Sequence, residues 1–153
     1  MPDYNMSERE AAATMRLGRK VERDTSNITT GEELFAVVGG NCQINLIVGE
    51  VTIQIETKTV NCKLVLDSDT GSDTDLCANL DLSADEVGSL YTLEGTVATA
   101  MQTGQSGSCI GPEVVIIVTP GGIDATIGAT HTGSIKWTLW YTPLEIGAYI
   151  EAS

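Results

Sequence analysis

The chain has 153 residues, 42% of them hydrophobic, and carries a formal net charge of −13 from 21 acidic against 8 basic residues. That length buries roughly two-thirds of the unfolded surface, enough for one self-sufficient core without metal or disulfide help. Such acidity argues against direct nucleic-acid binding, which needs clustered Lys and Arg; no apolar run approaches the roughly 20 residues of a membrane helix, and the first twenty residues hold no apolar signal core, so synthesis in a cytoplasm without a membrane partner is expected.

Residues 1–30 read as an N-terminal arm. They hold Arg9, Arg16, Arg19, Lys20 and Arg23, whereas the remainder holds only Lys58, Lys63 and Lys136 as cations. Ser7 followed by Glu10 fits a capping box for a short helix through Ala11–Ala13, with a thin apolar face at Met15 and Leu17 and an interruption at Gly18. Such a helix is marginal alone. The arm is either a solvated tail or a segment ordered against a neighbouring subunit, since thirty extended residues reach on the order of 100 Å. On the second reading Met15, Arg16, Leu17, Arg19, Lys20 and Arg23 are its partner-contacting residues.

The body, residues 31–153, begins with the short apolar run Leu34–Val38, stopped by Gly39-Gly40. Ile44, Leu46 and Val48 then share one face, and Val51, Ile53 and Ile55 repeat the pattern, with Gly49-Glu50 as a turn or bulge between two strands. Further strands are predicted through Leu64 and Leu66, through LCANLDL, and through SLYTLEG after a small turn at Ser83–Glu86. The loop DSDTGSDTD places Asp67, Asp69, Asp73 and Asp75 around Gly71; it reads as a solvated acidic loop or a weak divalent-cation site, and lacks the ordered ligand spacing of an EF-hand.

Cys42, Cys62, Cys77 and Cys109 lie at gaps matching neither a zinc pattern nor a CxxC redox motif. They are buried thiols or, in an oxidising setting, disulfide partners. Cys42 beside Gly39-Gly40-Asn41 and Cys109 in a Gly/Ser-rich loop are expected to be the exposed pair and the candidates for a bridge, with Cys62 and Cys77 packed against strands.

The last third is the most regular. Val114, Ile116 and Val118 run to a Pro120-Gly121-Gly122 turn; Ile123, Ala125, Ile127 and Ala129 alternate with polar or small residues; and Ile135, Trp137, Leu139 and Tyr141 form a core face until Pro143 removes a backbone donor. Trp140 and Tyr149 fall outside that face and are candidate interface anchors, with Trp140 alternatively on the second face of a sandwich strand. Eight or nine short strands with turn signals about every ten residues predict an all-β antiparallel sandwich or barrel. No catalytic residue, metal site or cofactor is predicted. His131, the one histidine, lies in a Thr/Gly turn where exposure is expected, and Cys109 has no base indicated beside it.

The stretches Thr29–Thr52, Asp75–Gly95 and, above all, ATHTGSIKWTLWYTPLEIGAYI at Ala129–Ile150 resemble small head-associated proteins of tailed bacteriophages that act as capsid decoration, or cement, proteins. The resemblance rests on hydrophobic and turn patterns, and the arm and the cysteines lie outside it. It implies a structural virion protein on the capsid surface, bound to the major capsid protein as a homo-oligomer, with a trimer the expected count. A receptor-binding or fibre-base β-module of a virion is the alternative; it would use the 67–75 loop and exposed aromatics, of which the chain has few.

Overall fold

Alternating apolar residues dominate the chain after residue 30, and the computed structural model, which describes residues 7–27, 29–93, 95–105, 107–109 and 115–153, gathers them into two antiparallel six-stranded sheets. The elements are α1 (Glu8–Leu17), β1 (Arg19–Asp24), β2 (Glu32–Val38), β3 (Cys42–Ile53), β4 (Asn61–Ser68), β5 (Thr74–Asp75), β6 (Leu80–Asp81), β7 (Leu90–Thr92), β8 (Gln102–Gly104), β9 (Ile116–Val118), β10 (Gly121–Ile127), β11 (Ser134–Pro143) and β12 (Tyr149–Ala152). Sheet 1 runs β1-β11-β3-β7-β8, with β9 also on β3; sheet 2 runs β12-β2-β10-β4-β5, with β6 also on β4. The two remain separate, so the fold is a sandwich and not a barrel. Several two- and three-residue strands, too short to show a period, raise the count above the eight or nine expected.

The core lies between the sheets. Ile135, Trp137, Leu139 and Tyr141 of β11, Ile44, Ile47 and Val51 of β3, Leu34, Phe35 and Val37 of β2, Leu64 and Leu66 of β4, and Ile123, Ala125 and Ile127 of β10 are all buried. Burying each larger aliphatic side chain contributes about 1.5–3 kcal/mol. Gly49 is a mid-strand residue of β3, not a turn: it lies opposite Trp137, and a Cβ there would stand 2.7 Å from the indole Cζ3. β3 therefore runs unbroken and in register through Gly49-Glu50, where a turn or bulge was expected. Its irregularities fall elsewhere, where the register with β11 slips between Ser134 and Ile135 and between Trp140 and Tyr141.

The three C-terminal strands are not neighbours of one another. β9 and β11 both pair with β3 in sheet 1, while β10 sits between β2 and β4 in sheet 2. The Pro120-Gly121-Gly122 turn carries the chain from one sheet to the other. This satisfies each strand's single apolar face without a hairpin.

The arm expected over 1–30 is partly body. Residues Arg19–Asp24 pair with β11 from Tyr141 to Lys136, so β1 completes sheet 1 within the same chain. The physical reason is that this strand turns Val21 onto the core and places Arg23 opposite Trp137, where its guanidinium meets Glu32 of sheet 2 at 2.7 Å. Thr25 continues the stitching: its hydroxyl donates to the Ile135 carbonyl and accepts from the Ile135 N–H, each at 3.0 Å. Gly18, at φ +86°, ends α1 and packs where a Cβ would stand 2.2 Å from the Tyr141 carbonyl.

Candidate functional site

One end of the sandwich concentrates exposed apolar side chains on a rigid frame. The β2–β3 turn and the β11–β12 loop interlock there: Gly39 and Gly40 have positive φ, and a Cβ on either would stand within 2.4 Å of Gly147 or Glu145. The Asn41 N–H donates to Glu145 Oε2 at 2.8 Å, and the Leu144 N–H donates to the Asn41 carbonyl at 3.0 Å. With the backbone pinned, Leu144, Tyr149 and the fully exposed Ile146 point into solvent.

Two neighbours widen this surface. β9 pairs with the start of β3, setting exposed Ile117 across from Gln43, with exposed Val115 just before the strand. The C-terminus of α1 is tied down by Asn45, whose Nδ2 donates to the Leu17 carbonyl at 2.7 Å and to Thr142 Oγ1 at 2.9 Å. Asn45 also accepts from Gln43 Nε2 at 2.8 Å, so α1, β3 and β11 share one hydrogen-bonded cluster. Met15, 89% exposed, and the exposed Arg16 belong to this last helical turn. Arg19 is also exposed. Burial, then the nearby Glu145, push the Cys42 thiol up, with Arg19 opposing them, which places both charges at this end.

Among the partner-contacting residues expected from sequence, Met15, Arg16, Arg19 and Tyr149 come together here, with Leu17 half-buried beside them. Three do not fit. Arg23 is engaged with Glu32 between the sheets, and Lys20 pairs with Glu22 at 2.7 Å beside Lys136 on the outer face of sheet 1. Trp140 lies half-buried on that same outer face, in register between Lys20 and Leu46, and its Nε1 has no hydrogen-bond partner among the described residues. Val115, Ile117, Leu144 and Ile146 were missed. The signal for the last two was present, since Leu144 and Ile146 flank Glu145 after the strand-ending Pro143.

The cysteine expectations divide. Cys62 and Cys77 are buried as expected; burial, aided by Cys77, pushes the Cys62 thiol up to about 12. Cys42, expected to be exposed, is buried, because β3 already runs there between Val118 and Pro143 and the side chain faces inward. Cys109 is half-buried, 3.4 Å from Thr92 Oγ1, and all four thiols are free. His131 is only 4% exposed: the Glu56 N–H donates to the Thr132 carbonyl at 3.2 Å and the Thr132 N–H donates to Glu56 Oε1 at 3.0 Å, which folds the turn back onto the chain just past the end of β3 and leaves His131 Nδ1 at 3.3 Å from Glu56 Oε1.

The acidic loop forms the exposed β4–β5 hairpin, with Asp75 held by Lys63 at 2.9 Å. Its neighbour Asp124 is held above the usual carboxylate range by burial and by the charges of Asp67, Glu33 and Asp73. No group of three acidic, histidine or cysteine side chains among the described residues is arranged to hold a metal ion, and no helix among them is long and apolar enough to cross a membrane.

No protein-family model, no curated protein and no solved structure matches this chain.

Proposed function

We propose that this chain is a structural virion protein that binds the outside of a bacteriophage capsid and, as a homo-oligomer with a trimer the expected count, ties neighbouring major capsid proteins together. The observation that carries this reading is the apolar end of the sandwich, where Ile117, Leu144, Ile146 and Tyr149 stand exposed on interlocked turns and Met15 is exposed on the adjoining helix. Solvent-facing apolar groups clustered on a rigid frame mark interaction surfaces, and a pre-ordered frame lowers the entropy lost on binding. The resemblance of Ala129–Ile150 to capsid decoration proteins supplies the class of partner. Joining several subunits places each later contact at about millimolar effective concentration, so avidity can rise about 10²–10⁴-fold from modest single contacts.

The test is add-back of purified protein to capsids that lack it, read by co-sedimentation and stoichiometry, for the parent and for Ile117→Asp combined with Ile146→Asp. Saturable binding by the parent, lost in the double variant at an unchanged melting temperature, is expected, because exposed positions alter stability by only about 0.5 kcal/mol. Parent protein that does not sediment with capsids, or a variant that binds equally well, refutes the reading.

A further inference from the structure

At the opposite end of β3, the loop of residues 82–89 encloses a polar depression of about 510 Å³ lined by Ala84, Asp85, Glu86, Ser89 and Gln105. The loop is built rather than slack. The Ala84 N–H donates to Glu56 O, Ile55 N–H to Asp85 O, Gly88 N–H to Val51 O and Val51 N–H to Ser89 O, at 2.9 to 3.1 Å. Ala84 is held at φ +59°, a conformation that costs an L-residue energy and persists only where its surroundings fix it.

The polar groups at its floor are unusual. Asp85 is only 7% exposed, and its carboxylate accepts from the buried Tyr91 hydroxyl through Oδ2 and from Gln105 Nε2 at 3.3 Å through Oδ1. Burial, then Asp85 itself, push the Tyr91 phenol up, so it remains a donor. A carboxylate offers about four acceptor positions, and these two bonds leave capacity over. Ser89 is fully buried, and its hydroxyl has no partner among the described residues. A buried hydroxyl without a partner is costly, so one that lines a cavity offers a free acceptor to whatever enters it.

We propose that this depression binds a cationic side chain, the ammonium of a lysine or the guanidinium of an arginine presented by a protein partner. Its lining is rich in acceptors: the Asp85 and Glu86 carboxylates, the Ser89 hydroxyl and the Gln105 amide oxygen, with no basic residue among the lining residues. Anions are repelled by that set. A sugar would want an aromatic platform, and Tyr91 is wholly buried. The depression has room for the end of a long side chain together with bridging water, and the chain's charge of −13 draws basic partners by long-range attraction. The site lies away from the apolar end and stands whatever that end binds.

The experiment is an amide-resolved NMR titration of the full chain with n-butylammonium and methylguanidinium chlorides, alongside 1-butanol, glucose and calcium chloride. Saturable shifts at Glu86, Ser89 and Gln105 with the two cations are expected, weakened roughly tenfold or more in Asp85→Asn because a hydrogen bond to a charged group is lost. Glu86 is exposed, so Glu86→Gln keeps the fold and should weaken binding less. Should Asp85→Asn not fold, Glu86→Gln and Ser89→Ala decide: weaker cation binding in either supports the site, and unchanged affinity in both overturns it. No saturable shift with either cation, an equal response to 1-butanol, or preferential saturation by glucose or calcium also overturns it.

Discussion

β3 and β11 run side by side from one end of the sandwich to the other, and the two ends resolve opposite problems. At the Cys42–Pro143 end, the turns lock through positive-φ glycines and one carboxylate, and the apolar side chains are left in water. At the Ile53–Ser134 end, loops fold back on the strands and polar groups are taken inside: Thr25, Asp85, Ser89, His131 and Ser134 are all buried. Neither arrangement is favoured by stability alone, because exposed apolar area forgoes about 25 cal/mol per Å² and each unpaired buried polar group costs about 1–3 kcal/mol. A core common to both ends must supply that stability, and the ends are free to differ in what they present.

The largest test of this contrast removes what the ends share. Trp137→Ala should lower stability by about 3–5 kcal/mol in urea unfolding and loosen both ends together, since the indole fills the centre of sheet 1 over Gly49. An unshifted urea midpoint would mean the shared core is not held through Trp137. Gly39→Ala should act on one end only, by about 1–3 kcal/mol, because φ is +78° and the new Cβ would meet the Gly147 carbonyl at 2.4 Å. Hydrogen exchange should quicken over 144–149 and stay slow over 82–89; uniform acceleration would dissolve the distinction.

The smallest effect belongs to the polar end. The Thr132 N–H, then Lys58 and His131, hold the Glu56 carboxyl below its ordinary value, so its contribution is present above the unfolded pKa and is lost as pH falls through the lower folded pKa. The parent should therefore be more stable than Glu56→Gln at neutral pH, with the gap closing in acid. A gap that widens on acidification would reverse the assignment.

Sequence made the centre of the molecule legible and the edges less so. The period-two pattern of Ile135, Trp137, Leu139 and Tyr141 carries the core face directly, because burial on one side of a sheet admits no other alternation. β1 was hidden, since RKVERD offers only Val21 as an apolar cue and Arg23 faces inward only because Glu32 waits on the other sheet. Cys42 follows a Gly-Gly pair that signals a turn, yet its side chain already belongs to the strand. At the candidate surface, Met15 and Tyr149 could be picked as large residues outside a core pattern. Ile117 stands off the Ile116 and Val118 face in the same way, but a three-residue strand carries too little period to mark it as an exposed anchor. Strand order was equally closed to sequence, since β9, β10 and β11 follow one another in the chain and alternate between sheets.

The placement of β11 also sets a timetable for biosynthesis. It lies between β1 and β3, as β10 lies between β2 and β4, so each sheet keeps an inner strand for the last third of translation. The Thr25 to Ile135 bond closes a separation of 110 residues, a gap the ribosome takes on the order of ten seconds to cross at about 5–20 residues per second. Until then β1 has nothing to join, and the apolar runs of β2 and β3 travel with the nascent chain. Before that, the pairs open to the chain include β4 with β5, β7 with β8 and, once residue 92 is made, β3 with β7. The acidic charge excess then serves the unfinished polypeptide first, keeping it dispersed through a wait that the topology imposes.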